Sequence, residues 1–167
     1  MQSGQRDIRK RIVQDAYPPK VDTSISALDI PAMATVIITS EEPTYPVELI
    51  FDGQRGPGAS RWRAATPGRQ SLILDFDKPQ TLHQLVLDIE EPEVSRTQVL
   101  WVSVSSDGGH SYRELLRQEY NFSPPGTTYE RETWTLDTPH VTHLAIVIEP
   151  DKGGRPAHAS VTSLMLT

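Results

Sequence analysis

The stretch Phe51-Asp52-Gly53-Gln54-Arg55-Gly56-Pro57-Gly58-Ala59-Ser60-Arg61-Trp62 divides the chain. Three glycines and a proline fall within the six residues from Gly53 to Gly58, a density that sustains neither a helix nor a strand ladder. Phe51 and Trp62 supply apolar anchors at its two ends, so the expectation is a corner loop pinned on both sides. Nearly everything that reads as strand follows it.

Downstream of the corner, short apolar runs alternate with Pro- or Gly-bearing connections. They are Leu72–Phe76, Leu85–Ile89, Val99–Val104, Tyr112–Glu119, Tyr129–Leu136, His143–Ile148 and Ala159–Leu166. Upstream, Ala34-Thr35-Val36-Ile37-Ile38-Thr39 is β-branched and reads as the first firm strand. About eight strands with no interior helix predict an all-β chain built as two packed antiparallel sheets. Because consecutive antiparallel strands send successive loops to opposite ends, the connections sort into two sets. Residues 77–81, 106–111 and 137–141 form a short-loop end, and residues 63–70, 90–97, 120–128 and 150–158 a long-loop end. A binding site is expected at the long end, where loops rest on a rigid scaffold. That end gathers Arg63, Arg69, Arg96 and Arg155 as donors and Glu90, Glu91, Glu93 and Asp151 as acceptors. It also holds Tyr120, Asn121 and Phe122, in a loop stiffened by Pro124 and Pro125.

The chain has 167 residues, enough to bury about two thirds of the surface its unfolded form exposes, so no staple is required. It contains no cysteine, which removes disulfides, thiolate metal sites and thiol catalysis. A formal charge of −6 speaks against nucleic acid as a partner. No apolar run approaches a membrane span, and Met1-Gln2-Ser3-Gly4-Gln5-Arg6 lacks the apolar core of a signal peptide, so a soluble chain without an address is expected. Residues 1–20 carry a basic segment, Arg6–Val13, ended by Tyr17-Pro18-Pro19. They read as a flexible tail or linker rather than a docking arm, with the domain itself over 21–167.

Three stretches resemble the discoidin family, also called coagulation factor 5/8 type C, within the galactose-binding-like jelly rolls. They are Phe51-Asp52-Gly53 leading through Ser60 to Trp62, then Leu72-Ile73-Leu74-Asp75-Phe76, then Val102-Ser103-Val104-Ser105-Ser106-Asp107-Gly108-Gly109. The resemblance covers about residues 30–167 and implies a two-sheet jelly-roll sandwich. It also implies a non-catalytic module that binds glycans, phospholipid or protein through the loops at one end. By the same resemblance Arg63 and Arg96 would hydrogen-bond a sugar, and Asp52 and Ser60 would belong to a structural calcium site. The last strand, Val161–Leu166, has no carboxylate to complete such a site, so no metal and no cofactor is expected.

Motifs that would point to chemistry are weak. Ser105-Ser106-Asp107-Gly108-Gly109-His110-Ser111-Tyr112 matches an Asp-box but stands alone and reads as a self-bonded hairpin. His83, His110, His140, His143 and His158 show no metal-ligand spacing, and no Gly-x-Ser-x-Gly elbow is present. The Glu90-Glu91-Pro92-Glu93 run reads as solvated loop rather than a pair of catalytic carboxylates, and the chain is not read as an enzyme. The expectation is therefore a carbohydrate-binding module using Arg63, Arg96 and Asn121 beside an aromatic, or alternatively a protein-interaction module using the same end. Exposed Tyr120 and Phe122 would favour the glycan, and buried ones the protein.

Overall fold

Two strands of 21 residues each organise the protein, in a computed structural model that describes residues 26–167. The expected tail over 1–20 lies outside the described residues. In chain order come α1 (Ile30–Met33), β1 (Ala34–Ile38), a 3-10 turn (Val47–Phe51), β2 (Trp62–Arg63) and β3 (Gln70–Glu90). Then follow β4 (Arg96–Ser105), β5 (Arg113–Phe122), β6 (Tyr129–Glu149), β7 (Ser160–Val161) and β8 (Ser163–Leu166). The long strands β3 and β6 pair antiparallel from Gln70↔Ile148 to Glu90↔Tyr129.

This corrects one expectation. Residues 77–81 and 137–141 are not reversals between separate strands but bends inside β3 and β6. The register slips between Asp75 and Gln84, where Pro79 and Pro139 cannot donate to the ladder and Asp137 (φ 40°) and His140 (φ 56°) take left-handed backbone. The ribbon thereby folds over, and each half joins a different layer. The first half of β3 lies in the sheet ordered β1-β3-β6-β4-β5, while its second half pairs with β8 and with the start of β6. Leu72, Leu74 and Phe76 from one half and Leu85, Leu87 and Ile89 from the other fill one core, the period-two pattern serving both layers. The all-β sandwich of about eight antiparallel strands is thus observed.

Backbone hydrogen bonds tie the long connections together at one end. Gly68 N donates to Ala157 O (3.0 Å), Lys152 N to Thr97 O (2.7 Å) and Glu91 N to Thr128 O (2.7 Å). The glycine-rich corner joins them, Gly58 N donating to Glu90 Oε2 at 2.7 Å, with Gly53, Gly56 and Gly58 all at positive φ. Trp62 anchors that corner, fully buried, its Nε1 donating to Ser40 O at 3.0 Å. At the opposite end the 106–111 hairpin rests on the β6 bend, Gly108 N donating to Thr142 Oγ1 at 3.1 Å. Asp107 accepts from Ser111 Oγ, Ser105 Oγ and Ser111 N, and these bonds, the Ser111 hydroxyl's first, hold its carboxyl well below the usual range, so the Asp-box is a self-bonded turn.

Candidate functional site

The long-loop end carries a cleft of about 560 Å³. One wall is Tyr45 with Arg61 and Arg63, the second is the last residue of β3 and the connection after it, from Glu90 to Val94, and the third is the Pro156–Ser160 segment. Local sequence sets each wall. Tyr45 sits between Pro43 and Pro46, and its backbone is fastened to β2 because Arg63 N donates to Tyr45 O at 3.1 Å. The aromatic ring is thereby presented at the surface, 39 % exposed, directly beside Arg63. On the segment paired with β2, His158 donates from Nδ1 to Ala64 O at 2.8 Å; a carbonyl only accepts, so in the neutral ring Nδ1 carries the proton and Nε2 is an acceptor.

The charged groups of the cleft are cross-linked. Arg63 Nη1 meets Glu42 Oε1 at 2.8 Å and stays 40 % exposed, so its remaining N–H donors are free to reach a ligand. Arg61 Nη2 lies 3.4 Å from Glu90 Oε1, and its Nη1 donates to Glu90 O at 3.3 Å. Glu90 is buried, and Glu91 is bonded to Arg96 at 2.7 Å. The Glu90–Glu93 run is therefore structural in its first two members rather than simply solvated.

Arg96 is the principal correction among the expected site residues. It does not face a ligand. As the first residue of β4 it points inward by the same alternation that buries Gln98, Leu100 and Val102. Its Nε donates to Glu91 Oε1 (2.7 Å), its Nη1 to Gln98 Oε1 (2.8 Å) and Pro150 O (2.7 Å), and its guanidinium stacks 5.0 Å from the Phe122 ring. Burial pushes this guanidinium below its usual pKa, and Glu91 opposes the shift.

Tyr120 and Phe122 are corrected for the same reason. The loop begins three residues later than expected, because β5 continues to Phe122 and pairs Gln98↔Tyr120 and Arg96↔Phe122. From Leu116 on, even-numbered positions of β5 face inward, so both rings close the end of the sandwich, 6.3 Å apart, and burial raises the Tyr120 hydroxyl well above its ordinary pKa. Asn121, between them, is exposed, but its Oδ1 accepts from Thr97 Oγ1 at 2.8 Å on the outer face. By the criterion stated above, the burial of this aromatic pair removes it from a glycan site.

Two further arginines also sit elsewhere. Arg155 holds Asp151 (2.7 Å) and donates to Ser95 O (2.8 Å), bracing one loop against another. Arg69 lies on the outer sheet face in a groove of about 360 Å³, bonded to Glu149 and placed 5.0 Å from the Trp101 ring. Of the arginines expected at the site, only Arg63 lines the cleft.

Tyr45, Arg61 and His158 were not singled out from sequence. A signal existed for Tyr45, a tyrosine flanked by Pro43 and Pro46 just ahead of the corner loop. The calcium site was tested against the residues present, and they do not fit one. Asp52 accepts from Ser60 Oγ and Gln54 N, and the neighbouring Arg55 guanidinium reaches Met165 in the last strand. Among the described residues no cluster of three His, Asp or Glu side chains is placed to hold a metal.

Comparison with known proteins agrees with this fold. The family model "F5/8 type C domain" matches residues 35–164, and the chain belongs to that family. Solved structures with the same fold include a family 32 carbohydrate-binding module from NanJ of Clostridium perfringens, in complex with galactose. It is 18 % identical, with a TM-score of 0.61 and coverage of 84 % of this chain and 96 % of that one. Another is the module CpGH89CBM32-5 from Clostridium perfringens with GalNAc-beta-1,3-galactose, at 21 % identity, TM-score 0.59 and coverage of 84 % and 99 %. A third is the family 32 module of AlyQ with 4,5-unsaturated mannuronic acid, at 20 % identity, TM-score 0.60 and coverage of 86 % and 98 %. A search of curated proteins gives no match. Among the described residues no helix is long and apolar enough to cross a membrane.

Proposed function

We propose that this chain, as a module spanning 21–167, binds carbohydrate without cleaving it, in the cleft between Tyr45, Arg63 and His158. The observation that carries the reading is the juxtaposition, in one cleft, of an exposed tyrosine fastened by its backbone to an arginine with free donors and of a histidine on the segment paired with that arginine. A sugar ring has an apolar face that stacks on Tyr45 and equatorial hydroxyls that both donate and accept. Arg63 supplies donors in a fixed plane and His158 Nε2 an acceptor. The sugars bound by the similar modules described above support the same class of ligand. Absence of catalysis is supported by the carboxylates. Glycoside hydrolysis needs an uncommitted acid facing a second carboxylate across the bond, whereas Glu90 is engaged by Gly58 N and Arg61, and Glu91 by Arg96.

Titration of the protein with a glycan array, followed by NMR on the hits, tests the proposal. Arg63→Ala and Tyr45→Ala are each expected to weaken binding by at least about tenfold, consistent with loss of one charge-assisted bond or one stacking contact. Glycan binding that both variants leave intact would place the site elsewhere. A protein ligand at the same end is the second reading, favoured by the burial of Tyr120 and Phe122 and by Val94, exposed at the cleft wall. It predicts a silent array.

A further inference from the structure

On the carbohydrate reading, which this inference deepens, the charge balance of the cleft narrows the ligand. Each arginine there already has an anionic partner: Arg63 has Glu42, Arg61 has Glu90, and Arg96, behind the wall, has Glu91. Arg155, which precedes the cleft-lining Pro156, has Asp151. Glu93 also lines the cleft, and among the described residues its carboxylate meets no Lys, Arg or His at ion-pair distance. The surplus charge is therefore negative. When its ring is neutral, His158 adds an acceptor at Nε2, because Nδ1–H donates to Ala64 O.

We infer that the cleft takes neutral or amine-bearing sugars and rejects uronic acids, with Glu93 as the residue that favours an ammonium and Glu42 as the one that balances the Arg63 charge a ligand carboxylate would seek. A uronate entering the cleft meets lone pairs at Glu93 and, on the neutral imidazole, at His158 Nε2, and at Arg63 it meets donors whose charge Glu42 already balances at 2.8 Å. A sugar hydroxyl or ammonium meets the same acceptors as a donor. The long-range field acts in the same direction, since the whole chain carries a formal charge of −6 and repels polyanions at low salt.

The test uses sugars that each differ from the neutral one in a single group: galactose, galactosamine and galacturonate, with the corresponding gluco series, titrated into the full chain by NMR at neutral pH. The neutral sugar is expected to bind, the amino sugar at least as tightly, and the uronate at least about tenfold more weakly, as one unfavourable charge contact at short range requires. Glu42→Gln is expected to raise uronate affinity, and Glu93→Gln to bring the ratio of amino-sugar to neutral-sugar affinity toward one. A uronate that binds as tightly as its neutral counterpart overturns the inference and leaves the carbohydrate reading standing. If no sugar of either series binds, both fall together.

Discussion

Arg63 and Arg96 stand at the same end of the sandwich, each beside a glutamate and an aromatic ring, and they differ in what surrounds their donors. Arg63 has one carboxylate partner, Glu42, and keeps 40 % of its side chain in contact with solvent. Arg96 has Glu91, Gln98 and Pro150 O in hydrogen-bond range, Phe122 over its face, and 1 % of its side chain exposed. The first is a group left available for a ligand, and the second is part of the wall that gives the cleft its shape. The number of acceptors already in reach, rather than the presence of the charge, separates a binding arginine from a structural one.

The sharpest way to break this contrast is to truncate the buried member. Arg96→Ala removes the shared donor of Glu91 Oε1, Gln98 Oε1 and Pro150 O and opens a void against Phe122, so a loss of about 3–5 kcal/mol is expected. In a chain of this size that corresponds to a fall in melting temperature of roughly 10 °C or more. Arg96→Lys is expected to recover little, because one ammonium cannot serve three acceptors in the plane a guanidinium spans. A calorimetric loss below about 1 kcal/mol would show that Arg96 is not a structural clamp.

A third arginine lies between the two cases. Arg131 is 45 % exposed, yet it holds the buried Asp88 through two bonds of 2.9 Å, with the Tyr129 hydroxyl as a third donor. Burial pushes the Asp88 carboxyl up, but Arg131 and Tyr129 together outweigh it and hold the carboxyl below its ordinary value. The sign follows from that direction. A group whose folded pKa is depressed contributes its stability fully above the unfolded value, near about 4, and loses it as pH falls through the folded value. Melting temperature should therefore be flat from about pH 7 to 5 as far as Asp88 is concerned and decline below about pH 4. Arg131→Ala is expected to cost about 2–3 kcal/mol at neutral pH and to flatten the acid limb, measured by thermal melts across pH. An unchanged acid limb in that variant would remove Asp88 as its source.

Arg63→Ala is expected to do the reverse of Arg96→Ala. Its stability effect should stay within about 1 kcal/mol, the worth of an exposed pair, while sugar affinity falls by at least about tenfold, roughly 1.4 kcal/mol or more. Chemical denaturation and NMR titration on one sample separate the two quantities. A variant that unfolds more easily but binds unchanged would exchange the roles assigned to the two arginines.

How far the sequence carries such distinctions depends on periodicity. Runs such as Leu72–Phe76 and Val99–Val104 were legible as strands because alternation and β-branching act locally, and the motifs from Phe51 to Trp62 and from Val102 to Gly109 carried the family. The bends in β3 and β6 were not, because a proline at a reversal and a proline at a fold in a continuing strand look alike until pairing is known. Arg96, Tyr120 and Phe122 were placed in loops because their composition is that of loops. In fact β4 and β5 extend past the apolar runs, and their inward alternation continues through a guanidinium and two rings. Tyr45 and His158 were missed because their proximity is made by long-range pairing, Arg63 N to Tyr45 O and His158 to Ala64 O, which no local pattern encodes.

The smallest expected effect tests whether the cleft or the outer sheet face is the binding surface. Arg69 was grouped with Arg63 by loop position, and its side chain is 62 % exposed, so exposure alone does not distinguish them. Its surroundings do. Arg69 and Arg117 both pack against Trp101, at 5.0 and 5.2 Å from the ring, and each also pairs with a carboxylate, Glu149 and Glu114. The tryptophan is thus already covered by cations of the same chain, and a ligand stacking there would have to displace one of them. Arg69→Ala is therefore expected to change stability by less than about 1 kcal/mol, because an exposed ion pair and an exposed cation–π contact are each worth little. It is also expected to leave sugar affinity within about twofold of the parent. If instead it uncovers Trp101 and strengthens binding, the sheet face is a latent platform. Should Arg69→Ala weaken binding as much as Arg63→Ala, the sugar sits on Trp101 and the contrast between open and sealed arginines at the loop end has no bearing on where the ligand goes.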